Sequence, residues 1–149
     1  MLVSALCQPD VACCGLQTTI LEAASLMRHK HVGDLVVVSN DAEDRVPLGI
    51  ITDRDIVLEV LGAGRDPAKT TVGDIIRRPV VLVNESDDAG QVLDQMQTHG
   101  VRRIPVVDHE GRLSGIITAD DLLKSLAADA NRLAATIARQ QTHEQRARR

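Results

Sequence analysis

The chain repeats one short motif, as "GIITDRD" at residues 49–55 and as "GIITADD" at residues 115–121. In each copy a threonine, Thr52 or Thr118, is followed three residues later by an aspartate, Asp55 or Asp121. A threonine and an acidic residue at this spacing cap a helix N-terminus by exchanging hydrogen bonds with backbone N–H groups, which contributes about 1 kcal/mol. Such a cap needs no ligand. Two copies, however, indicate a duplicated unit that can carry duplicated chemistry.

The elements around the two motifs repeat as well. At an offset of 69, "VRRIPVV" at 101–107 aligns with "VGDLVVV" at 32–38, and the offset then falls to 66 because the first copy has a longer turn. Each copy has an apolar helix face with spacing i, i+3, i+4, i+7. The faces are Ile20, Ala23, Ala24 and Met27, and Ala89, Val92, Leu93 and Met96. A second apolar helix follows each motif, with Ile56, Val57, Val60 and Leu61, or Leu122, Leu123, Leu126 and Ala127.

These patterns predict an α/β (α+β) fold of two units, each ordered strand, helix, strand, turn, strand, helix after a short helical turn. We assign residues 1–65 to the first unit, 66–128 to the second, and 129–149 to a helical, partly exposed C-terminal tail. A unit of about 65 residues buries so little surface that it would be only marginally stable alone. We therefore expect the units to pack through their sheets about a pseudo-twofold axis.

The composition argues against several classes of function. The chain has no Phe, Tyr or Trp, so its core must be aliphatic, and it offers no ring on which single-stranded nucleic acid could stack. A net charge of −4 gives no overall attraction to nucleic acid, and the basic end "RQQTHEQRARR" favours a solvated helix end. No apolar run reaches the length of a membrane span, and the start lacks a signal peptide. We expect a cytoplasmic protein that does not enter a membrane.

Candidate catalytic and metal-binding residues are few. The three cysteines, Cys7, Cys13 and Cys14, contain no CxxC pair, which favours small buried hydrophobic residues over a redox or metal role. His29 and His31 flank Lys30 without convergent partners. There is no Ser-His-Asp, Cys-His or phosphate-loop signature. We therefore expect no enzymatic activity, no catalytic cofactor and no metal.

The succession of helix, strand, "IPVV", turn, "GIIT" and aspartate resembles the cystathionine β-synthase (CBS) domain, and two in tandem resemble a Bateman module. The resemblance runs from about Val3 to Leu126. It implies a βαββα fold for each unit and two clefts that often bind adenine nucleotides. In this family the motif aspartate accepts hydrogen bonds from ribose hydroxyls, and the threonine end of the helix approaches phosphate. The resemblance favours ligand binding, which is compatible with capping.

The resemblance also implies which residues line each cleft, because the family builds a cleft from both units. Cleft one would take the first motif and two segments of the second unit, namely Gly49, Thr52, Arg54, Asp55, Val80, Val81, Arg102, Arg103, Ile104 and Pro105. Cleft two would take the second motif and two segments of the first unit, namely Gly115, Thr118, Asp121, Val11, Ala12, Gly33, Asp34 and Leu35.

The two clefts differ in charge. Arg102 and Arg103 suit phosphate, because a guanidinium can bond two oxygens at once, although they can also be solvated charges at a strand entrance. Asp34, at the corresponding place in cleft two, would repel phosphate. We predict one tightly bound nucleotide in cleft one, with cleft two empty or weakly occupied.

These expectations combine into a regulatory module that senses AMP, ADP or ATP and signals to an unidentified partner protein by a change of shape. One alternative is a ligand-free scaffold for dimerisation or partner docking. Another, less favoured, is nucleic-acid binding through the basic tail. Exposed apolar residues on the outer helices further predict a homodimer with twofold symmetry.

Overall fold

The structure is a computed structural model that describes residues 1–39, 44–76 and 80–148. The first unit contains α1 (Val3–Leu6), β1 (Cys13–Cys14), α2 (Ile20–Lys30), β2 (Asp34–Val38), β3 (Pro47–Thr52) and α3 (Asp53–Asp55), which continues as a π-helical turn over Ile56–Leu61. The second contains α4 (Val72–Ile75), β4 (Val83–Asn84), α5 (Ala89–His99), β5 (Arg103–Val107), β6 (Leu113–Thr118) and α6 (Ala119–Ala147). The predicted element order and fold class are confirmed, while part of the longer first turn lies outside the described residues.

Two three-stranded sheets, ordered β1-β2-β3 and β4-β5-β6, repeat one topology. In each sheet the first strand is parallel to the second, and the second is antiparallel to the third. Both antiparallel ladders shift register at the same place, between Val37 and Val38 and between Val106 and Val107. The sequence repeat is therefore a repeat of sheet geometry, including the irregularity that both antiparallel ladders carry.

Among the residues that the structure describes, the core forms three clusters, and one of them joins the units. Each unit has its own cluster between its sheet and helices, with Leu35 and Val37 in the first and Ile104 and Val106 in the second. The third contains Val36 and Val38 from β2, and Leu113 and Ile116 from β6. Since successive strand residues point to opposite faces, each sheet packs helices on one face and the other sheet on the opposite face. This arrangement confirms packing through the sheets.

The short helical turns that lead each unit pack into the other unit. Val3 of α1 is fully buried in the second unit's cluster, and Val72 of α4 is fully buried in the first unit's cluster. The backbone follows, because the Val3 N–H donates to the Asp87 carbonyl (2.9 Å) and the Val72 N–H donates to the Thr18 carbonyl (2.8 Å). This reciprocal exchange ties the two units together in addition to the packing of their sheets.

The helices that follow the two motifs differ from each other. After Asp55 the helix widens into a π-helical turn, in which the Gly62 N–H donates to the Val57 carbonyl at 2.8 Å. Two apolar residues of this helix, Ile56 and Val60, are buried in the core. The widened turn leaves Val57, Leu58 and Leu61 exposed instead. The second helix, α6, continues without interruption through the predicted tail to Ala147.

Candidate functional site

Both repeated motifs form complete capping boxes at the ends of strands β3 and β6. The Asp55 N–H donates to Thr52 Oγ1 (3.1 Å), and the Thr52 N–H donates to Asp55 Oδ2 (2.9 Å). The Asp121 N–H donates to Thr118 Oγ1 (3.1 Å), and the Thr118 N–H donates to Asp121 Oδ2 (2.9 Å). The cap is therefore present, and in each box it uses one carboxylate oxygen, Oδ2, for the backbone. The role of each aspartate beyond the cap depends on its other oxygen, Oδ1.

The second carboxylate oxygen has different surroundings in the two motifs. Asp121 Oδ1 accepts a hydrogen bond from the side-chain amide of Gln8 at 3.0 Å. Across residues 1–39, 44–76 and 80–148, no side chain or backbone group donates to Asp55 Oδ1. Of the two carboxylates, the one in the second unit is thus already engaged by the first unit.

Gln8 is held at that position by its backbone. Its N–H donates to the Ile116 carbonyl (2.8 Å), and the Ile116 N–H donates to the Gln8 carbonyl (2.9 Å). The approach requires a glycine at position 115, because a Cβ there would lie 2.8 Å from the Gln8 oxygen. No motif in the sequence indicates Gln8 as a site residue. The repeat offset aligns it with Arg77, a different residue type that lies outside the described residues.

An ion pair links the entrances of the two central strands. Arg103 Nε lies 2.7 Å from Asp34 Oδ2, and the side chains are 45% and 20% exposed. In the sheet registers Asp34 is paired with Thr52, and Arg103 is paired with Thr118. The positive charge that we expected in cleft one and the negative charge that we expected in cleft two are therefore not separate, since the structure joins them in one contact.

The environment of Asp34 raises the pKa of its carboxyl group. Burial is the main cause and the nearby Asp53 carboxylate adds to it, while the Arg103 guanidinium opposes the rise. The carboxylate therefore depends on Arg103 as its partner for charge. Anything that draws Arg103 away would make the ionised form of Asp34 less favourable.

Other charged residues predicted for the clefts lie at an exposed rim. Arg102 Nη2 is 3.5 Å from Asp120 Oδ1, and both side chains are mostly exposed. Arg54, at the position of the repeat that Asp120 occupies in the second unit, is exposed too. Ion pairs of this kind contribute little to stability.

The remaining predicted cleft residues divide by burial. Leu35 and Ile104 have fully buried side chains in the cores, so they can offer a ligand only their backbone. Val11 packs on the cluster between the sheets, near Ile116, and Val81 packs on the core of the second unit. Four more are buried or half-buried at strand positions or just before them, namely Ala12, Gly33, Gly49 and Pro105, and Val80 is half-buried.

Several other features carry no site. Surface depressions lie along α2, at Ser25, Arg28, His29 and His31, and along α6, at Ala138, Arg139, Thr142, His143 and Arg146, away from both motifs. Among the described residues no group of three metal-ligating side chains converges, and no helix is long and apolar enough to cross a membrane.

Burial raises the pKa of the Cys7 and Cys13 thiols, and it raises the pKa of the Cys14 thiol to about 12. All three cysteines are therefore neutral thiols at neutral pH.

Comparison with known proteins identifies the architecture. The family model described as CBS domain matches residues 3–62 and again residues 72–128. The chain belongs to the CBS-domain family. The two matched segments form a pair of CBS domains, which is the regulatory module of this family. Small proteins made of such pairs are typically non-catalytic.

Two related proteins match large parts of the chain. Hypoxic response protein 1 of Mycobacterium tuberculosis is 39% identical over 116 residues, which is 78% of each chain. Uncharacterized protein MK0525 of Methanopyrus kandleri is 38% identical over 106 residues, 71% of this chain, and this match spans only 53% of that protein.

Two solved structures share the fold. A crystal structure of Hypoxic Response Protein I with two coordinated zinc ions has a TM-score of 0.74 and 33% identity, covering 84% of this chain and 98% of that one. A hexameric CBS-CP12 protein from bloom-forming cyanobacteria has a TM-score of 0.71 and 29% identity, covering 83% of this chain and 69% of that one.

Proposed function

We propose that this CBS pair senses an adenine nucleotide, AMP, ADP or ATP, and binds it at the first unit's motif. The observation that carries the proposal is the state of Asp55, whose Oδ2 completes a helix cap while Oδ1 receives no hydrogen bond from the described residues. An ionised carboxylate fixed in this way is ready to accept ribose hydroxyls. The N–H groups of the first turn already have partners within the chain, so the exposed Arg54 guanidinium is the nearby group that offers positive charge to the phosphates.

The Asp34–Arg103 pair supplies a route for a signal. Phosphate and Asp34 both need the Arg103 guanidinium, and a nucleotide that takes it leaves Asp34 partly buried without its partner. Because Asp34 belongs to the first unit and Arg103 to the second, this exchange alters the contact between the units. A partner protein that reads the relative position of the units would then respond to the nucleotide.

A nucleotide titration tests the proposal. A ligand that binds only the folded state adds about 2.7 kcal/mol to the free energy of unfolding at a hundredfold excess over its Kd. We expect AMP, ADP or ATP to raise the melting temperature, and GMP or GTP to raise it less. Mass spectrometry of the small molecules that co-purify with the protein would identify the natural ligand. Absence of any shift at millimolar adenine nucleotide would contradict the proposal.

A ligand-free scaffold is the second candidate function. It is favoured by the capping boxes, which are complete without a ligand. The titration separates the two candidates, because a scaffold predicts the same melting temperature with and without every nucleotide. Nucleic-acid binding through the basic end of α6 is a third, less favoured possibility, and it predicts RNA binding that weakens steeply with salt.

We further propose that the protein acts as a homodimer. Five large apolar side chains on the π-helical turn and on the first two turns of α6 are more than half exposed, namely Val57, Leu58, Leu61, Leu123 and Leu126. Such surfaces usually mark an interface, and the related CBS-CP12 protein is hexameric. Light scattering at micromolar concentration should give twice the mass of one chain, and a monomer would contradict the proposal.

A further inference from the structure

Helix α6 extends far beyond the body of the protein. Its first turns contact the body, where Ser125 Oγ approaches the Met1 sulfur at 3.7 Å. From residue 126 to residue 148 every residue is exposed, a segment about 33 Å long at 1.5 Å per residue. In proteins most of the stability of a helix comes from packing of its apolar face rather than from intrinsic propensity. A second surface that packs on it would account for its continuous helical structure.

The exposed helix has an apolar stripe with the spacing of a coiled coil. Its apolar residues are spaced alternately three and four residues apart, namely Leu123, Leu126, Ala130, Leu133 and Ile137. Leu123, Leu126, Leu133 and Ile137 are 63%, 67%, 63% and 50% exposed. A stripe with this period presents one continuous seam to a second helix.

The helix also carries opposite charges at its two ends. Residues 119–130 contain three aspartates and one lysine, whereas residues 131–148 contain four arginines and one glutamate. A second copy of α6 that runs antiparallel places the acidic half of each helix beside the basic half of the other. A parallel copy instead brings the two basic halves together and sets Glu144, in the continuation of the seam, against itself.

Side-chain volumes favour the same direction. In an antiparallel pair Leu126 meets Ile137, and the small Ala130 meets the large Leu133. In a parallel pair Ala130 faces Ala130, which leaves a gap between two layers of leucine. Charge and packing therefore agree on one occupant, a second copy of this helix in the opposite direction.

We propose that residues 123–140 of α6 form an antiparallel two-helix coiled coil with the same segment of a second chain, centred between Ala130 and Leu133. This inference rests on the homodimer proposed above and adds to it the segment and the direction of the contact. It is independent of nucleotide binding. The twofold axis crosses the helix pair at its centre, so each chain contributes the same seam.

The first test measures dimer dissociation by analytical ultracentrifugation for the full chain. The variant Leu133→Ala, Ile137→Ala removes four large seam residues per dimer. We expect it to raise the dissociation constant of the dimer by about a hundredfold or more. The control variant Ala128→Ser, Ala135→Ser changes the opposite face of the helix. Its dissociation constant should stay within about threefold of the wild-type value. Since these positions are all exposed, circular dichroism and the melting temperature should show an intact body.

The outcomes of this test separate the two proposals. A wild-type monomer overturns both the homodimer and the helix pair. A dimer that resists Leu133→Ala, Ile137→Ala but dissociates with Val57→Ala, Leu61→Ala keeps the homodimer and overturns the helix pair. Loss of the dimer with the seam variant, but not with the control variant, supports the helix pair.

The second test measures the direction of the helices by pulsed electron spin resonance between identical labels in the dimer. A spin-labelled non-natural amino acid at position 145 leaves the native cysteines unchanged. Antiparallel helices place the two labels about 40 Å apart along the axis, because each lies 13 to 14 residues from the centre. Parallel helices place them within about 25 Å. A label at position 131 should give a short distance as the control, and a short distance at position 145 overturns the antiparallel pair.

Discussion

The two units have the same strand order and the same caps, but residues at equivalent positions around the motifs differ in charge. Gly33 and Asp34 in the first unit correspond to Arg102 and Arg103 in the second, and Arg54 corresponds to Asp120. The caps, the registers and the irregularity in the ladder are the same in both. The two units thus share the apolar and capping positions that build a unit, while the charged residues around the motifs differ. The fold is symmetric, and the chemistry of the two motifs is not.

The largest expected effect comes from removing each motif aspartate in turn. Asp55→Ala and Asp121→Ala both delete one capping box, so each should cost about 1 kcal/mol of stability in the absence of ligand. We expect Asp55→Ala alone to abolish the stabilisation by adenine nucleotide, which is about 2.7 kcal/mol at a hundredfold excess over Kd. Thermal melting with and without nucleotide measures both quantities. Equal losses in the two variants would show that the motifs are equivalent.

A smaller effect is expected from the shared ion pair. Arg103→Ala should weaken nucleotide binding about tenfold or more, and ATP more than AMP, because a charge-assisted hydrogen bond to phosphate contributes about 1.5–3 kcal/mol. Arg102→Ala, which removes a more exposed guanidinium, is the matched control and should change Kd less. Isothermal calorimetry gives both constants. An Arg103→Ala protein with unchanged ATP affinity would remove this pair from the binding site.

The engaged state of Asp121 provides the next comparison. Gln8→Ala removes the side-chain amide from Asp121 Oδ1 and keeps the backbone ladder with Ile116. If Gln8 blocks the second motif, its removal should raise the affinity of that motif by up to about tenfold, the value of one exposed hydrogen bond to a carboxylate. Calorimetric stoichiometry should then approach two per chain. A stoichiometry that stays at one would mean that another feature keeps the second motif empty.

The success of the sequence prediction follows from the range of the interactions involved. The helix faces, the strands and the capping boxes are local patterns, so the repeat indicated them directly. The π-helical turn was missed because Ile56 and Val60 keep an apolar spacing that an α-helix also satisfies. Gln8 on Asp121, and Arg103 on Asp34, join residues that are far apart in the chain, and no local pattern indicates such contacts. The assignment of residues to clefts therefore stays a prediction, whereas the fold is confirmed.

The smallest expected effect concerns the pH dependence that Asp34 brings to stability. Burial raises the pKa of this carboxyl group in the folded chain, assisted by Asp53 and opposed by Arg103. The folded chain then holds the Asp34 proton more tightly than the unfolded chain does, so ionisation of Asp34 costs stability. This cost is absent below the ordinary aspartate pKa of about 4 and is complete once the pH exceeds the raised value.

Asp34→Asn removes that titration and supplies its test. Between pH 3 and pH 7 the wild type should lose stability relative to Asp34→Asn, by less than about 1 kcal/mol because Arg103 stays partly solvated. Asp88→Asn is the matched control of opposite sign, since hydrogen bonds and the N-terminal ammonium group lower the pKa of Asp88. Its wild-type carboxylate should therefore gain stability over the variant as the pH rises. Urea unfolding at each pH measures both differences. If the stability of the wild type relative to Asp34→Asn instead rises with pH, as it should relative to Asp88→Asn, burial does not govern the pKa of Asp34. The Arg103 contact would then dominate that pKa even without a nucleotide.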